Sequence, residues 1–337
     1  MMGLKVTIYD VAKEAKVSIA TISNVINKKG RVGEKTKRRV YDAMEKLNYE
    51  PNVLASALMG KQTKTIGLLI PDLANPFFSE LARSIEDRGH ELGYNIVICS
   101  TDYQEEKENK YISLLKQKRV DGFILASGFE QLSRLEELMK EDIPIAIVAR
   151  DYPNFSVNAV ALDDYMGGYL AADYLIKLGH KNIGIVALDV YSNRERIRGF
   201  KDAMAEHGLK FIHDIEFIED IKQSHLNAGR NVTEKYFQYD DKPTAIFACN
   251  DLLAIGAIQA TKQAGFEVPN DLSIIGFDDT SIASIVDPPL TTMSQPIQLM
   301  GREVMDLIIS IFKGEREDHV RVTLVPTLVE RDSTKTI

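Results

Sequence analysis

Residues 7–27 read TIYDVAKEAKVSIATISNVIN, and their pattern predicts how the amino-terminal region folds. Thr7 followed by Asp10 is typical of a helix N-cap, and apolar residues then recur at helical spacing. After a tight break, Ser18 can cap a second helix that carries Ile22 on its apolar side. Two short helices separated by a turn of about three or four residues predict a helix-turn-helix.

The second predicted helix has small and polar residues on its outer side, which suits it to the major groove of DNA. That groove is about 12 Å wide and admits a helix whose short side chains and amide forks reach the base edges. Asn24 and Asn27 each present such a fork, with adenine as the preferred base. A generic amphipathic helix pair is the alternative interpretation.

Positive charge is concentrated near the amino terminus. Residues 1–64 contain 13 Lys and Arg against 6 Asp and Glu, whereas the other residues contain 28 against 43. Several of the basic residues lie on a third predicted helix, residues 34–47, which would brace the first two helices and contact phosphates. A basic region of net charge +7 beside a remainder of −15 indicates that the basic region binds a polyanion.

A fourth, marginal helix is predicted between Pro51 and Gly60. At about eight residues it is too short to be stable alone in water, so it should form only when something packs on it. Leu58 on such a helix would act as a wedge that opens a base step in the minor groove. The alternative is an ordinary linker whose leucine docks on the next domain.

From Thr65 onward, apolar strand-like runs alternate with helical stretches. The runs are residues 66–70, 95–99, 122–126, 145–149, 159–162, 183–187, 245–249 and 273–277. Their β-branched composition predicts parallel sheets covered by helices on both faces. The predicted fold class is therefore α/β with an all-α head, in which the runs form two doubly wound subdomains.

The predicted domain organisation has three parts. In chain order, a helix-turn-helix head, a hinge and a two-lobed body comprise residues 1–49, 50–64 and 65–337. The runs split into two groups near residues 152–158. The first lobe is predicted at about 65–158 plus 293–318, and the second at about 159–292 plus 319–337. A helix at 297–312 and strand-like segments at 320–329 would cross back and complete both sheets.

Polar and aromatic residues directly follow the predicted strands. They are Asp72, Asn75, Phe77, Phe78, Ser100, Thr101, Asp102, Ser127, Arg150, Asp151, Asp163, Asp164, Asp189, Asn250, Asp251, Asp278 and Asp279. In open parallel sheets, ligands bind beyond the carboxyl ends of the strands. Carboxylates and amides beside an aromatic pair suit a polyhydroxylated ligand held between two lobes.

The sequence lacks the signals that are typical of several other classes of protein. No apolar run of about 18 residues suits a membrane span, and the charged amino terminus is unlike a secretory signal, so we expect a cytoplasmic protein. Cys99 and Cys249 lie in separate apolar runs and should be buried thiols. The chain has no phosphate-binding glycine loop and no nucleophile elbow.

The histidines also give no sign of catalysis, and neither a metal nor a cofactor is predicted. They share no ligand spacing, so we expect all of them at surface or helix-capping positions. The six are His90, His180, His207, His213, His225 and His319.

A set of short motifs runs through the chain. In the head and hinge they are residues 7–12, 17–18, 21–23, 47–49, 51–52 and 60–61. In the body they are 75–78, 120–122, 178–180, 196 with 199–200, 250–251, 275–278 and 289–292. On these motifs the chain resembles the lac repressor family of bacterial transcription regulators, with the catabolite control and degradation activator branch the most similar. The resemblance implies a helix-turn-helix head and a core like that of periplasmic binding proteins.

The resemblance also implies which residues contact DNA. Those facing the operator bases would be Ser18, Ile19, Ala20, Ser23, Asn24 and Asn27. Those meeting the DNA backbone would be Thr7, Tyr9, Thr36, Tyr49 and Asn52, and those entering the minor groove would be Ala55 and Leu58. The family usually has Arg where this chain has Asn24. Because an Asn fork prefers adenine over guanine, we predict a shifted operator half-site.

In the body, the resemblance implies contacts to a sugar-like or related effector. The matching positions are Phe77, Phe78, Arg150, Asp163, Arg196, Asn250, Asp278 and Gln295. Two positions depart from the family pattern. Ser224 falls where relatives often place a stacking aromatic residue, and Ala149 falls where many place Asp. Both departures argue against a stacked sugar or purine.

The family further implies a homodimer on a pseudo-palindromic operator, and the chain ends at Ile337 without the leucine heptads of tetramers. An effector or a partner protein would change the angle between the first lobes and so decide whether the hinge helices form. A phosphorylated carrier protein is left open as coregulator. The regulator is expected to be a repressor. The alternatives are a solute-binding protein for a sugar-like ligand, which would need a signal peptide and no basic head, and an enzyme on a doubly wound fold.

Overall fold

The computed structural model describes residues 6–26, 30–49, 62–127, 129, 132–141, 143–210, 217–218, 224–315 and 319–337. These residues belong to two compact units. One unit is Met1–Thr63, which contains the head, and the other is Lys64–Ile337, which we call the body. Each unit has its own hydrophobic core and is described by itself.

The head contains three described helices: α1 (Ile8–Ala15), α2 (Ile19–Ile26) and α3 (Glu34–Lys46). Both predicted N-caps are confirmed. The backbone N–H of Thr7 donates to the Asp10 carboxylate at 2.8 Å, and the Ser18 hydroxyl accepts from the backbone N–H of Thr21 at 3.1 Å. The helix predicted between residues 51 and 60 lies outside the described residues.

A small apolar core holds the three helices of the head together. Val11, Ile22, Val25 and Val40 are almost completely shielded from solvent and pack against one another. The Arg39 guanidinium donates to the last carbonyls of α1, including that of Lys16 at 3.0 Å. The third helix therefore braces the first, as its position in the sequence predicted.

The body alternates strands and helices along the chain. Its strands are β1 (Thr65–Ile70), β2 (Asn95–Ser100), β3 (Gly122–Ala126), β4 (Ile145–Val148), β5 (Asn158–Leu162), β6 (Ile183–Leu188), β7 (Phe217–Ile218), β8 (Ala245–Ala248), β9 (Ser273–Asp278), β10 (Thr291–Ser294), β11 (Arg321–Leu324) and β12 (Thr327–Val329). Its helices are α4 (Pro76–Glu91), α5 (Glu105–Gln117), α6 (Leu132–Met139), α7 (Asp164–Lys177), α8 (Tyr191–Glu206), α9 (His225–Tyr236), α10 (Asp251–Gln263) and α11 (Ile297–Phe312). None of these helices is long and apolar enough to cross a membrane.

The strands form two six-stranded sheets, one in each lobe. The first has the order β11-β5-β4-β3-β1-β2, and the second has the order β12-β10-β9-β8-β6-β7. All pairings are parallel except that of β12 with β10. In the first lobe, α4 and α11 cover one face and α5 and α6 the other. In the second lobe, α7 and α8 cover one face and α9 and α10 the other, so the predicted doubly wound class is confirmed.

The predicted lobe boundary is wrong for two strands. Residues 159–162 were assigned to the second lobe, but β5 pairs with β4 in the first sheet. Residues 321–324 were also assigned to the second lobe, but β11 pairs with β5. The backbone hydrogen bonds of these runs continue the first sheet. Among the described strands, the chain passes from one lobe to the other after Leu162, after Ser294 and after Leu324. In the described part of the chain, three crossover segments therefore connect the lobes.

Both cysteines are buried, as predicted. His180 was expected at a surface or helix-capping position. Its backbone N–H donates to the Leu175 carbonyl oxygen at 3.1 Å at the end of α7, which confirms the capping position, but its side chain is buried. Its Nδ1 lies 2.9 Å from the Thr244 hydroxyl, and its Nε2 lies 3.1 Å from the Lys335 carbonyl oxygen. Burial lowers the pKa of His180. Its contact with the Lys335 carbonyl helps to hold the last residues of the chain against the second lobe.

Candidate functional site

The outer side of α2 and the residue before it are mostly exposed to solvent. Ser18, Ile19, Ala20 and Asn24 are exposed, while Ser23 is half-buried. The opposite side of the helix carries the buried Ile22 that anchors it. A helix held by its apolar side and offering short polar side chains outward has the form required to enter a DNA groove.

Some of the other residues predicted to contact DNA lie in the part of the chain that the structure describes, and others lie outside it. Thr7 and Tyr9 are exposed at the start of α1, and Thr36 and Tyr49 are half-buried. The head also has exposed basic side chains: Lys13, Lys16, Arg31, Lys35 and Arg38. Four predicted residues lie outside the described part of the chain: Asn27, Asn52, Ala55 and Leu58.

A cleft between the two lobes encloses about 660 Å³, including the solvent at its mouth. Seven of the eight predicted effector residues line it: Phe77, Phe78, Arg150, Arg196, Asn250, Asp278 and Gln295. Asp163 is not among the lining residues. Its carboxylate instead accepts from the backbone N–H of Met166 at 2.9 Å and caps α7. The cleft lies at the carboxyl ends of the strands, as parallel sheets require.

Arg196 contacts two carboxylates and a backbone carbonyl in the cleft. Its Nε donates to the Asp164 carboxylate at 2.8 Å, and its Nη1 donates to the Cys249 carbonyl at 2.5 Å. The carboxylate of Asp278 lies 3.9 Å from Nη1. Burial raises the pKa of Asp164 and that of Asp278, and the Arg196 charge opposes this change. The guanidinium is therefore the charge that allows two carboxylates to be buried together.

Close packing of two helices places Arg196 in the cleft. Arg196 lies on α8, and Gly168 lies on the neighbouring α7. A Cβ atom at Gly168 would lie 1.7 Å from the Arg196 carbonyl oxygen, so only glycine permits this approach. Gly199 makes the reciprocal approach to the Tyr165 carbonyl.

The backbone at the cleft departs from ordinary strand geometry. Ser127 and Ala149 each follow a strand and have a φ of 63°, and Asp278 has a φ of 114°. Non-glycine residues rarely adopt such angles, which cost free energy and concentrate at binding sites. The Gln295 amide donates to the Asp278 carboxylate at 2.7 Å and holds it in this position.

Sequence reasoning missed several lining residues, among them Tyr103, Tyr191, Asn193 and His225. His225 was expected at a surface or helix-capping position, but Ser224 caps α9 and the His225 side chain is buried in the cleft wall. Its Nδ1 lies 3.3 Å from the Asn250 amide nitrogen. Because that nitrogen is a donor, Nδ1 accepts and the ring proton sits on Nε2. No spacing rule indicated this residue, since helix α9 starts far from Asn250 in sequence.

The cleft shows no arrangement for metal chemistry among the described residues, which contain no group of three His, Cys, Asp or Glu able to hold an ion. Burial raises the pKa of the Cys249 thiol to about 12, so this lining cysteine is a poor nucleophile. The cleft groups are therefore suited to binding a ligand.

Comparison with known proteins identifies the family. Residues 7–52 match the model "Bacterial regulatory proteins, lacI family", and residues 172–334 match a periplasmic binding protein-like domain. The HTH-type transcriptional regulator DegA of Bacillus subtilis is 47% identical over 336 residues, covering 98% of both chains. The chain belongs to the lacI family. It is a DNA-binding transcription regulator.

Three further proteins support this assignment. Catabolite control protein A of Priestia megaterium is 37% identical and covers 98% of this chain and 100% of its own. The solved lac repressor dimer bound to operator and the anti-inducer ONPF superimposes with a TM-score of 0.86 at 28% identity, covering 98% of this chain and 100% of that one. A lacI-family regulator of Enterococcus faecium with bound ribose has a TM-score of 0.72 at 31% identity, covering 81% and 99%.

The two departures from the lacI-family pattern have structural consequences. Ser224 has no ring to stack on a ligand. Its hydroxyl instead caps helix α9, 3.5 Å from the backbone nitrogen of Asn227. Ala149 lines the cleft without a carboxylate. The polar lining of the cleft consists of amides, guanidinium groups, hydroxyl groups, the His225 ring and the Asp278 carboxylate.

Proposed function

We propose that this lacI-family chain is a homodimeric repressor that reads a pseudo-palindromic operator with α2 and is controlled by a small ligand in the cleft. One observation carries the proposal: a single chain combines a basic head that exposes a small polar helix with a body whose two lobes enclose a polar cleft. Such a protein acts in the cytoplasm, where the chromosome is. A solute-binding protein would have no use for the head.

The DNA contacts proposed for the head follow from chemistry and exposure. Asn24 and Ser18 reach base edges from α2, while Tyr9, Thr36 and Tyr49 position the helix on the backbone. Exposed lysines and arginines neutralise phosphates. Asn27 and Leu58 are proposed from residue chemistry and family resemblance, and Asn52 and Ala55 from the resemblance; all four lie outside the described residues.

The proposed effector is a compact molecule rich in hydroxyl groups. The cleft offers amides from Asn193, Asn250 and Gln295 and the guanidinium of Arg196, which suit hydroxyl oxygens. A relative in this family is solved with ribose. A ligand that binds one lobe arrangement better than the other shifts the population and thereby the operator affinity.

A thermal-shift screen of sugars, sugar phosphates and nucleobases identifies the effector. Each compound that stabilises the full-length chain is then added to an operator-binding assay, and a change in affinity marks it as an effector. A phosphorylated carrier protein is tested in the same assay, because catabolite control protein A is among the relatives. A change with the carrier alone would assign control to a protein partner instead.

Operator binding should depend steeply on salt. A dimer that neutralises about 6–10 phosphates should lose about 10³–10⁵ in affinity between 50 and 200 mM salt. Fluorescence anisotropy with genomic fragments recovered by gel shift measures this slope. Replacing the exposed Arg38 with Ala should flatten the slope, whereas replacing Lys201, exposed on α8, should not. Two results would contradict the DNA-binding head: DNA binding that does not change with ionic strength, or no DNA binding either with or without ligands.

Asn24 should select adenine in the operator half-site. Replacing Asn24 with Arg should move the preference toward guanine, because a bidentate contact discriminates between bases by about 1–3 kcal/mol. Selection from a randomised half-site measures the preferred base for both proteins. The Arg38→Ala variant is the control, since a phosphate contact should weaken binding without altering sequence preference. An unchanged selected sequence for Asn24→Arg would refute the role assigned to this residue.

A further inference from the structure

One side chain of the cleft touches both lobes. The Arg150 guanidinium follows β4 in the first lobe, and its central carbon lies 4.5 Å from the ring centroid of Tyr152 in the same lobe. On the other side it lies 4.8 Å from the ring centroid of Tyr191. Tyr191 is the first residue of α8 in the second lobe. The stack of Tyr152, Arg150 and Tyr191, which we call the clasp, therefore crosses the cleft.

The first-lobe half of the clasp is a fixed platform. Arg150 is buried, and its Nη1 donates to the carbonyl oxygens of Phe129 at 3.0 Å and Ser127 at 3.4 Å. The Tyr152 hydroxyl donates to the same Phe129 carbonyl at 2.6 Å. These bonds join residues of the first lobe only. Any movement of the second lobe away from the first must therefore separate Tyr191 from Arg150.

A second contact joins the lobes outside the clasp. The Glu80 carboxylate on α4 of the first lobe accepts from the backbone N–H of Ser281 at 2.9 Å. Ser281 begins the short 3₁₀ helix Ser281–Ser284 of the second lobe. This bond is exposed to solvent, so it should be weaker than the buried stack.

We propose that Tyr191 is the positioning residue that favours the closed arrangement of the lobes, with the Glu80–Ser281 bond as a weaker second contact. Both contacts use only groups of the chain, so they form without a bound effector. Tyr191 therefore partly sets the fraction of closed molecules in the absence of an effector. That fraction in turn changes the apparent affinity for the effector. The effect on the operator rests on the function proposed above.

The expected effect follows from the strength of a shielded cation–π contact. Its loss should raise the ratio of open to closed molecules roughly 3- to 30-fold. Tyr191→Ala removes the ring, whereas Tyr191→Phe keeps it and should behave like the unaltered chain. Glu80→Ala should shift the ratio in the same direction by a smaller factor. Tyr165→Ala is the matched control, because Tyr165 stacks on Arg198 at 4.4 Å within the second lobe.

The test measures the distance between the lobes in the full-length chain. Spin labels on cysteines introduced at the exposed Lys118 and Lys201 report the distance distribution by double electron–electron resonance. We expect a longer distance to become populated in Tyr191→Ala but not in Tyr191→Phe or Tyr165→Ala. Equal distributions for Tyr191→Ala and the unaltered chain, at equal thermal stability, overturn the proposal, as does an equal shift in Tyr165→Ala.

Operator binding by the same variants separates this proposal from the proposed function. If the distances shift as expected while no variant binds DNA at any salt concentration, the clasp stands and the regulator function fails. If DNA binding is normal and salt-dependent while the distances do not move, the function stands and the clasp is wrong.

Discussion

Replacing Arg196 with Met should lower the free energy of unfolding of the body by about 3–5 kcal/mol, because it removes one partner of a buried ion cluster. Asp164 and Asp278 would remain buried without their counter-charge, and the Cys249 carbonyl would lose its donor. Urea denaturation followed by circular dichroism measures the loss. The variant should also lose its response to any effector found by the screen.

The pH dependence of this loss has a defined sign. In the Arg196→Met variant, the pKa values of Asp164 and Asp278 rise further above those of the unfolded chain. The added penalty is therefore largest above the pKa values of the two carboxyls in the variant and shrinks as they become protonated on acidification. Arg198→Met is the control, because Arg198 is 59% exposed on the same helix and should contribute about 0–1 kcal/mol. Equal stability of Arg196→Met and the unaltered chain at pH 7 would contradict the assigned role.

Replacing Ile22 with Ala should abolish specific operator binding while the body stays folded. Ile22 is fully buried in the core of the head, and truncating a buried Ile costs about 2–5 kcal/mol. A domain of about 60 residues or fewer has little stability to spare, so the head should unfold. Anisotropy with operator DNA should show at least about a hundredfold weaker binding, since roughly 2.7 kcal/mol corresponds to that factor.

The body provides an internal reference for the Ile22 variant. Its thermal melting and its response to ligands should equal those of the unaltered chain, because the body has separate hydrophobic cores. Tyr41→Ala serves as the matched head variant, since Tyr41 is exposed on α3 and its loss should leave the fold intact. Operator binding at full strength by Ile22→Ala would show that the helical packing of the head is not what presents α2.

Much of the candidate site could be predicted because its determinants are local. The N-caps at Thr7 and Ser18 depend on residues three positions away, and both are observed. The strand-end rule placed Asn250 and Asp278 near a ligand because parallel strands end at one edge of a sheet. The same rule also selected Asp163, which caps a helix instead, because residues after a strand serve either purpose.

Residues joined across long stretches of chain could not be placed in this way. His225 enters the cleft wall by contact with Asn250, and Tyr191 meets Arg150 from the other lobe. Neither pair has a spacing that a periodic pattern could indicate. Run 159–162 has the composition of any buried strand, so its membership of the first sheet depends on pairing with β4 and β11.

Short-range pattern was thus sufficient for the helix-turn-helix, the alternation of strands and helices, and the family resemblance. Each of these rests on caps, periodicity and composition within a few residues. Folding in three dimensions was needed to assign the crossing strands to their lobes, to remove Asp163 from the cleft and to bring Tyr191 onto Arg150. The physical reason is that hydrogen bonding between strands and packing between lobes join residues that are far apart in sequence. Their sequence separation alone does not indicate that they are in contact.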